Sequence, residues 1–246
     1  MGLALTVLGC AAAYPRPGEP CSGYLVSTVD ARVWVDCGTG TFAALQQHID
    51  PASLDAVWVS HLHPDHVADL FAVFSWAVNT PDAPRLPVYG PPGWASRVAA
   101  ALPSDDAHSL VHQTFAVHEL ADGCTTEVGD LRLRSVAVDH SVPAFGLRAE
   151  HDGRVIAYSG DTGPCDALLT LADNADLLVC EAGATRRQPG HCTPTEAGMV
   201  AAMAHAGRLV LTHLPVHADG ETALQQAADA GATTACLAQP GTQFSW

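Results

Sequence analysis

The sequence predicts a protein of the mixed α/β class, with strands and helices alternating around sheets. Short apolar runs such as residues 56–59 and 155–158 have the length of buried strands, and alanine-rich residues 197–206 have the pattern of a helix. With 246 residues, 48% of them hydrophobic, the chain is long enough to bury a sizeable core. We therefore expect one domain that spans residues 1–246.

The net charge and the cysteine content indicate which binding partners are disfavoured and which cellular compartment is expected. The net charge is −15, from 26 acidic residues against 11 basic ones, and every basic residue is arginine. Such a surface repels phosphate backbones, which disfavours nucleic-acid and anionic-membrane partners but allows a small phosphate ligand beside a metal ion. The 8 cysteines form no C-x-x-C pair. Scattered cysteines in a chain of this length predict reduced, buried thiols and a cytoplasmic location.

In the first half of the chain, apolar runs separated by Gly/Pro turns predict strands, and longer apolar segments predict helices. The predicted strands are residues 4–9, 24–29, 32–35, 54–60 and 86–89. The predicted helices are residues 41–48, 69–78 and 94–102. Residues 103–125 have little periodicity and are expected to be irregular; they hold His108, His112 and His118, to which we assign no role.

The second half continues the alternation. Its predicted strands are residues 131–134, 135–138, 155–158, 175–179, 208–212 and 233–237. Its predicted helices are residues 168–172, 197–206 and 221–230, the second capped by Thr193 or Thr195. The sequence shows no internal repeat.

The segment from Ser60 to His66 carries four side chains that can bind a metal, directly after the strand at residues 56–59. Alternation along an extended chain places His61 and His63 on the same side. A turn at Pro64 then allows Asp65 and His66 to approach from a helix. A polar turn would account for any one of these residues, but four together favour a metal site.

Further candidate ligands follow later strands: His140, Asp161 and His213. Strand ends are where rigid scaffolds present site residues. Imidazoles and carboxylates suit Zn²⁺ or Mn²⁺, and the lack of cysteine among them disfavours a structural thiolate site. Seven ligands exceed the need of one tetrahedral ion. Two divalent ions sharing a bridging carboxylate would use all of them, and such a centre is typical of hydrolysis.

The order of these motifs resembles the metallo-β-lactamase superfamily: His-x-His-x-Asp-His, a single His, Asp in Ser-Gly-Asp-Thr, and a late Thr-His. The resemblance covers most of the chain and implies a four-layer αββα sandwich with the metals at one edge. It assigns one ion to His61, His63 and His140, the other to Asp65, His66 and His213, and the bridging role to Asp161. It also implies that Asp36 orients one of the metal-binding side chains without binding the metal itself.

Within the superfamily, the chain resembles ribonuclease Z and bacterial cyclic-nucleotide phosphodiesterases. The residues that carry this likeness are Asp65, Asp161, the segment from Phe145 to Arg148, Glu181 and the segment from His191 to Glu196. The resemblance implies three catalytic residues: Asp65 handles a proton at the nucleophile, and His191, supported by Glu181, protonates the leaving group. Arg148, Arg186 and Arg187 are candidate phosphate contacts, with ion pairing as the alternative for each.

One departure separates these two relatives. Ribonuclease Z grips transfer RNA with an arm inserted between the single His and the bridging Asp, but only 21 positions separate His140 from Asp161 here. We therefore expect a small phosphodiester substrate, 3′,5′-cyclic AMP or another cyclic nucleotide, with tRNA disfavoured and no membrane partner. A homodimer is left open. The alternatives are RNA processing, hydrolysis of a lactone, thioester or sulfate ester, and metal binding without catalysis.

Overall fold

The fold is a mixed α/β sandwich centred on two seven-stranded sheets. The structure is a computed structural model that describes residues 2–246. The first sheet, in the order β14-β1-β2-β3-β4-β5-β6, contains β1 (Ala4–Gly9), β2 (Gly23–Ser27), β3 (Arg32–Val35), β4 (Ala56–Trp58), β5 (Leu86–Gly90), β6 (Phe115–Glu119) and β14 (Gln243–Ser245). The second, in the order β13-β12-β11-β10-β9-β8-β7, contains β7 (Thr125–Val128), β8 (Leu131–Ala137), β9 (Phe145–His151), β10 (Arg154–Tyr158), β11 (Leu177–Glu181), β12 (Leu209–Thr212) and β13 (Cys236–Leu237).

Eight helices cover the outer faces of the two sheets among the residues described. The first sheet is covered by α1 (Thr41–Leu45), α2 (Pro64–Val67), α3 (Leu70–Asn79), α4 (Trp94–Ala101) and α5 (Ala107–Thr114). The second sheet is covered by α6 (Asp166–Ala172), α7 (Pro194–Met203) and α8 (Gly220–Asp229). Among residues 2–246, no helix is both long enough and apolar enough to cross a membrane.

Three apolar clusters separate four layers. The central cluster joins the sheets, with Trp58 of the first sheet and Leu147 of the second both buried in it. A second cluster packs the α1–α5 helices on the first sheet, and a third packs the α6–α8 helices on the second. The four-layer αββα arrangement predicted above is confirmed.

The two sheets repeat one pairing scheme, which the sequence did not reveal. Each has three antiparallel pairings followed by three parallel ones. In the second sheet, β8 runs in the same direction as β10, β11 and β12, because two antiparallel steps restore direction. The carboxyl ends of these strands therefore meet at one edge, where α/β sheets commonly place their sites.

The prediction for residues 103–125 was wrong. Helix α5 and strand β6 lie within it, because Val111 and Phe115 are buried in the cluster between the helices and the first sheet and β6 pairs in parallel with β5. His108 and His112 lie exposed on α5 and His118 exposed on β6, so none of the three joins the candidate site.

Other local differences are smaller. Residues 131–137 form the single strand β8, where two strands were expected, because the strand pairs with β9 without interruption. The short strands β7 and β14 were not predicted; each lies at the edge of its sheet, where a strand needs only one partner.

Candidate metal centre

The candidate ligands meet at the edge where strands of both sheets end. His61 and His63 follow β4, His140 follows β8, Asp161 follows β10 and His213 follows β12. Pro64 is the first residue of α2, so Asp65 and His66 project from the first turn of a helix that directly follows the loop with His61 and His63. All seven predicted ligand residues are brought together.

The first donor group contains three histidines and one carboxylate. His63 Nδ1 lies 3.0 Å from His61 Nε2 and 3.2 Å from His140 Nε2. Asp161 Oδ2 is 3.7 Å from His61 Nε2. Burial and the charge of His66 lower the pKa of His61 well below its usual range, which favours the neutral ring that ligation requires.

The second donor group lies on the other side of Asp161. Asp65 Oδ2 is 3.1 Å from His213 Nε2 and 3.7 Å from His66 Nε2. Asp161 Oδ1 lies 3.3 Å from His66 Nε2, and its Oδ2 lies 3.5 Å from His213 Nε2. The Asp161 carboxylate thus contacts members of both donor groups.

Two buried polar atoms test whether this arrangement suits a cation. His66 Nε2 and Asp161 Oδ1 face the cluster without a hydrogen-bond partner among the described residues. Buried polar atoms in folded proteins are nearly always partnered. Burial would raise the pKa of Asp161, but the charges of His213 and His66 outweigh it and hold the pKa well below its usual range. An ionised carboxylate facing imidazole nitrogens fits a divalent metal ion.

Asp36 lies behind the second donor group, at the end of β3. Its carboxylate accepts hydrogen bonds from the Ser60 backbone N at 2.7 Å, the Ser60 hydroxyl at 2.8 Å and His66 Nδ1 at 2.8 Å. The Tyr158 hydroxyl donates a fourth at 2.6 Å. Asp36 has a φ of +56°, a left-handed conformation rare for non-glycine residues. These four hydrogen bonds fix the position of the Asp36 side chain beneath the second donor group.

His140 is oriented by a backbone group. Its Nδ1 donates to the Gly190 carbonyl over 2.8 Å, which leaves Nε2 facing His63. His61 is held in the same way, since its Nδ1 lies 3.0 Å from the Ser60 hydroxyl while Nε2 faces the cluster. Partners on the far ring nitrogen are typical of histidines that bind metals.

A carboxylate–imidazole pair stands beside the two donor groups. Glu181 is fully buried at the end of β11, and its Oε1 accepts from His191 Nδ1 at 3.0 Å and from the Thr162 backbone N at 3.0 Å. The hydrogen bond with Glu181 raises the pKa of His191 above its usual value. The His191 ring lies nearly parallel to that of His213, with centroids 6.0 Å apart. Its Nδ1 is bonded to Glu181 and the ring lines the cleft, so Nε2 can contact a ligand there.

Gly183 makes room for this pair. A Cβ atom at position 183 would lie 2.9 Å from His191 Nδ1 and 3.1 Å from both Glu181 Oε2 and His213 Nδ1. Contacts of a Cβ atom under 3.0 Å are essentially never seen, so a larger residue would push the His191 imidazole away and crowd Glu181 and His213. Glycine here permits the approach of three functional side chains.

A cleft of about 540 Å³ opens onto the site. Its lining residues come from both donor groups, the His191 pair and two loops: Ala12, Ala13, Tyr14, His63, Pro64, Asp65, Asp161, Gly183, His191, His213, Pro215, Val216 and His217. Its volume is in the range of small-molecule sites.

The structure also corrects and extends the predicted site. Arg148 does not face the cleft; it binds Glu150 and the carbonyls of Leu171 and Asp173. Arg186 and Arg187 are exposed and do not line the cleft. Sequence reasoning missed Tyr158, whose place in an apolar strand looks like a core position. The signal that could have found it is its position three residues before Asp161.

Comparison with known proteins agrees with this geometry. A family model described as the beta-lactamase superfamily domain matches residues 31–214. An uncharacterized protein of Mycobacterium tuberculosis (strain ATCC 25618 / H37Rv) is 39% identical over 232 residues, 91% of this chain and 85% of the relative. Ribonuclease Z of Mycobacterium bovis (strain BCG / Pasteur 1173P2) is 33% identical over 239 residues, 86% of this chain and 85% of the relative.

A solved structure extends the likeness to the whole fold. The metallo-beta-lactamase fold protein YhfI of Bacillus subtilis superposes with a TM-score of 0.88 at 26% identity, covering 99% of each chain. The family match spans most of the chain, and the ribonuclease Z relative exceeds the identity at which family membership is clear. The chain therefore belongs to the metallo-β-lactamase superfamily.

Proposed function

We propose that this chain is a hydrolase that uses two divalent ions, Zn²⁺ or Mn²⁺, to cleave a small phosphodiester, with 3′,5′-cyclic AMP or another cyclic nucleotide as its substrate. The observation that carries the proposal is the position of Asp161. Its carboxylate lies between two complete donor groups, within 3.7 Å of His61, His66 and His213. One shared carboxylate and three further donors on each side suit a dinuclear centre.

The seven ligands divide as the donor groups do: His61, His63 and His140 would hold one ion, Asp65, His66 and His213 the other, and Asp161 both. Ions held by these residues would supply an activated water and would neutralise the charge of a phosphodiester. Asp65 is a second carboxylate at this point, and its hydrogen bond with His213 over 3.1 Å orients it. In the proposed role Asp65 accepts the proton of the attacking water.

His191 supplies the acid that the leaving group needs. Glu181 accepts from its Nδ1 and raises its pKa, so that the ring carries a proton at higher pH than a free histidine does. Nε2 then donates to the departing ribose oxygen, since a positioned general acid assists the loss of a poor leaving group. The pair lies beside Asp161, with His191, Asp161 and His213 offering atoms within 4.8 Å of one another.

The relatives and the topology support a small phosphodiester. Ribonuclease Z of Mycobacterium bovis, by its name, acts on RNA, whose linkages are phosphodiesters. Between His140 and Asp161, this chain has β9, β10, a two-residue turn at Asp152 and Gly153, and the short connections 141–144 and 159–160. An arm that would grip a folded RNA is therefore lacking there, and the net charge of −15 adds repulsion.

A substrate panel tests the proposal. The purified chain, loaded with Mn²⁺ or Zn²⁺, is assayed on cyclic AMP, cyclic GMP, bis-p-nitrophenyl phosphate, a lactone and precursor tRNA. We expect turnover of the cyclic nucleotides and the synthetic diester, and none after Asp161→Asn. Turnover of the lactone with no phosphodiester cleaved would contradict the proposal. Metal binding at two equivalents without any turnover would indicate a metal-binding protein.

A further inference from the structure

The cleft has an apolar side that the proposed chemistry does not use. Beside the candidate ligands it is lined by Ala12, Ala13 and Tyr14, from the loop between β1 and β2. Pro215 and Val216, from the loop between β12 and α8, complete this lining. We call these five residues the apolar rim.

Two members of the apolar rim expose large side chains. Tyr14 is 58% exposed and Val216 is 45% exposed. They are two of only six large hydrophobic residues with such exposure among the residues described. Both side chains line the cleft beside the candidate ligands, and apolar walls next to a few convergent polar groups are typical of small-molecule sites.

The loop that carries Tyr14 is braced in place. Arg16 and Glu19 exchange two backbone hydrogen bonds of 2.9 Å around a turn in which Gly18 has a φ of +75°, and their side chains form an ion pair. Next to it, the Ala11 backbone N donates to the Pro20 carbonyl over 3.0 Å. A tyrosine on a closed loop loses little conformational freedom when a ligand binds.

The charge of the cleft limits what it can hold. No arginine lines it, and the chain contains no lysine. Arg16, in the same loop as Tyr14, is paired with Glu19 and does not line the cleft. The lining therefore offers positive charge only through histidines and bound ions, which suits one phosphodiester charge rather than a run of phosphates.

We propose that Tyr14 and Val216 form a subsite for the uncharged, planar base of a singly charged phosphodiester, and that Tyr14 determines selectivity by stacking on that base. This inference rests on the proposed function and names the substrate class. Stacking of a base on an aromatic ring contributes about tenfold in affinity or more, whichever base is present. Stacking then favours a cyclic nucleotide over a bare sugar phosphate, and the lack of arginine and lysine in the lining disfavours longer RNA.

The test compares substrates with and without the base. Wild type, Tyr14→Ala and Tyr14→Phe are assayed, fully metal-loaded, on 3′,5′-cyclic AMP and on ribose 3′,5′-cyclic phosphate. We expect Tyr14→Ala to raise KM for cyclic AMP about tenfold with kcat nearly unchanged, and to leave the base-free substrate unaffected. Tyr14→Phe keeps the ring and should behave as wild type. Val29→Ala, at an equally exposed position outside the cleft, is the control for surface truncation.

Equal effects of Tyr14→Ala on both substrates would overturn the inference while leaving the proposed function intact. So would tighter binding of an oligoribonucleotide than of cyclic AMP. If no phosphodiester is cleaved, calorimetric binding of adenosine 5′-phosphate and ribose 5-phosphate decides the matter. A preference for the base that Tyr14→Ala removes supports the subsite, and equal binding of the two ligands overturns it.

Discussion

His66 Nδ1 donates a hydrogen bond to Asp36 Oδ2 over 2.8 Å, deep below the cleft where both side chains are fully buried. The bond fixes the proton on Nδ1 and turns Nε2 toward Asp161, 3.3 Å away. The Asp36 carboxylate also accepts hydrogen bonds from Ser60 and Tyr158. Asp36, which directly follows β3, is therefore bonded both to the loop after β4 and to β10. The orientation of a candidate ligand therefore depends on contacts between the two sheets.

Asp36→Asn should weaken metal binding without unfolding the chain. Asparagine tolerates the φ of +56° at this position, but its amide cannot accept all four hydrogen bonds, so His66 loses its anionic partner. Loss of such a partner costs about 10- to 100-fold in metal affinity. Competition with a chelating dye measures it. Tyr158→Phe removes one bond to Asp36 and leaves the His66 bond in place, so its loss should be smaller; equal affinities throughout would contradict this account.

Gly183→Ala should lower activity far more than stability. The new methyl group would lie 2.9 Å from His191 Nδ1, and displacement of a reacting group by about 1 Å can cost on the order of 100-fold in rate. Steady-state kinetics and thermal unfolding of the same sample separate the two effects. Gly163→Ala is the matched variant, because its methyl would come no nearer than 3.3 Å to any atom beyond the two adjacent residues. If Gly183→Ala retains full activity, the close packing of His191 and His213 has no catalytic role.

His191→Ala should affect substrates according to their leaving groups. Departure of a ribose alkoxide needs a proton, so we expect a loss of about 10²- to 10⁴-fold on cyclic AMP. Nitrophenolate leaves without help, and bis-p-nitrophenyl phosphate should lose much less. His217→Ala, another histidine of the cleft lining, is the control. Equal losses on both substrates would remove the general-acid role.

The pH profile should respond to Glu181→Gln with a definite sign. The hydrogen bond with Glu181 is the main cause that raises the pKa of His191. A general acid must be protonated, so activity falls as pH rises through that pKa. Removing the carboxylate lowers the pKa, and the alkaline limb of kcat/KM should move to lower pH. A limb that stays in place, or moves to higher pH, would assign it to another group.

Thr193→Ala should destabilise the chain by about 1 kcal/mol. Thr193 caps α7, its hydroxyl accepting from the Glu196 backbone N while the Glu196 carboxylate accepts from the Thr193 backbone N. Denaturant unfolding measures the change. Thr195 was the alternative cap predicted from the sequence, but it lies exposed within the helix, so Thr195→Ala should be nearly neutral. A larger effect at Thr195 would contradict the assignment.

Most of the fold was predictable because its strands are short apolar runs that end in polar turns. Strand β1 was predicted with its observed bounds, Ala4–Gly9. Helix α5 was not predicted, because only two of its residues, Ala107 and Val111, are buried and their neighbours in the sequence are mostly polar. Their burial depends on packing against the first sheet, which local sequence does not show. Strand β14 is three residues long and exists through its pairing with β1, a contact that local patterns do not contain.

The residues of the candidate site were predictable where the residue type itself, histidine or aspartate at a strand end, indicates metal binding. His61, Asp161 and His213 stand out beside the strands that deliver them. Tyr158 does not, because its ring packs on Tyr24 in the core while only its hydroxyl reaches Asp36. For Arg148, the charge suggested a phosphate contact that the structure does not show. Its guanidinium donates to carbonyls at the end of α6 instead.

The repeated pairing scheme of the two sheets divides the candidate ligands between halves of the chain. His61, His63, Asp65 and His66 follow the first set of strands, and His140, Asp161 and His213 follow the second. Neither half holds a complete donor group, so the centre comes into being only when the halves dock. An ion bound by ligands from both halves would stabilise the docked form, because its binding free energy would add to the cohesion between the halves.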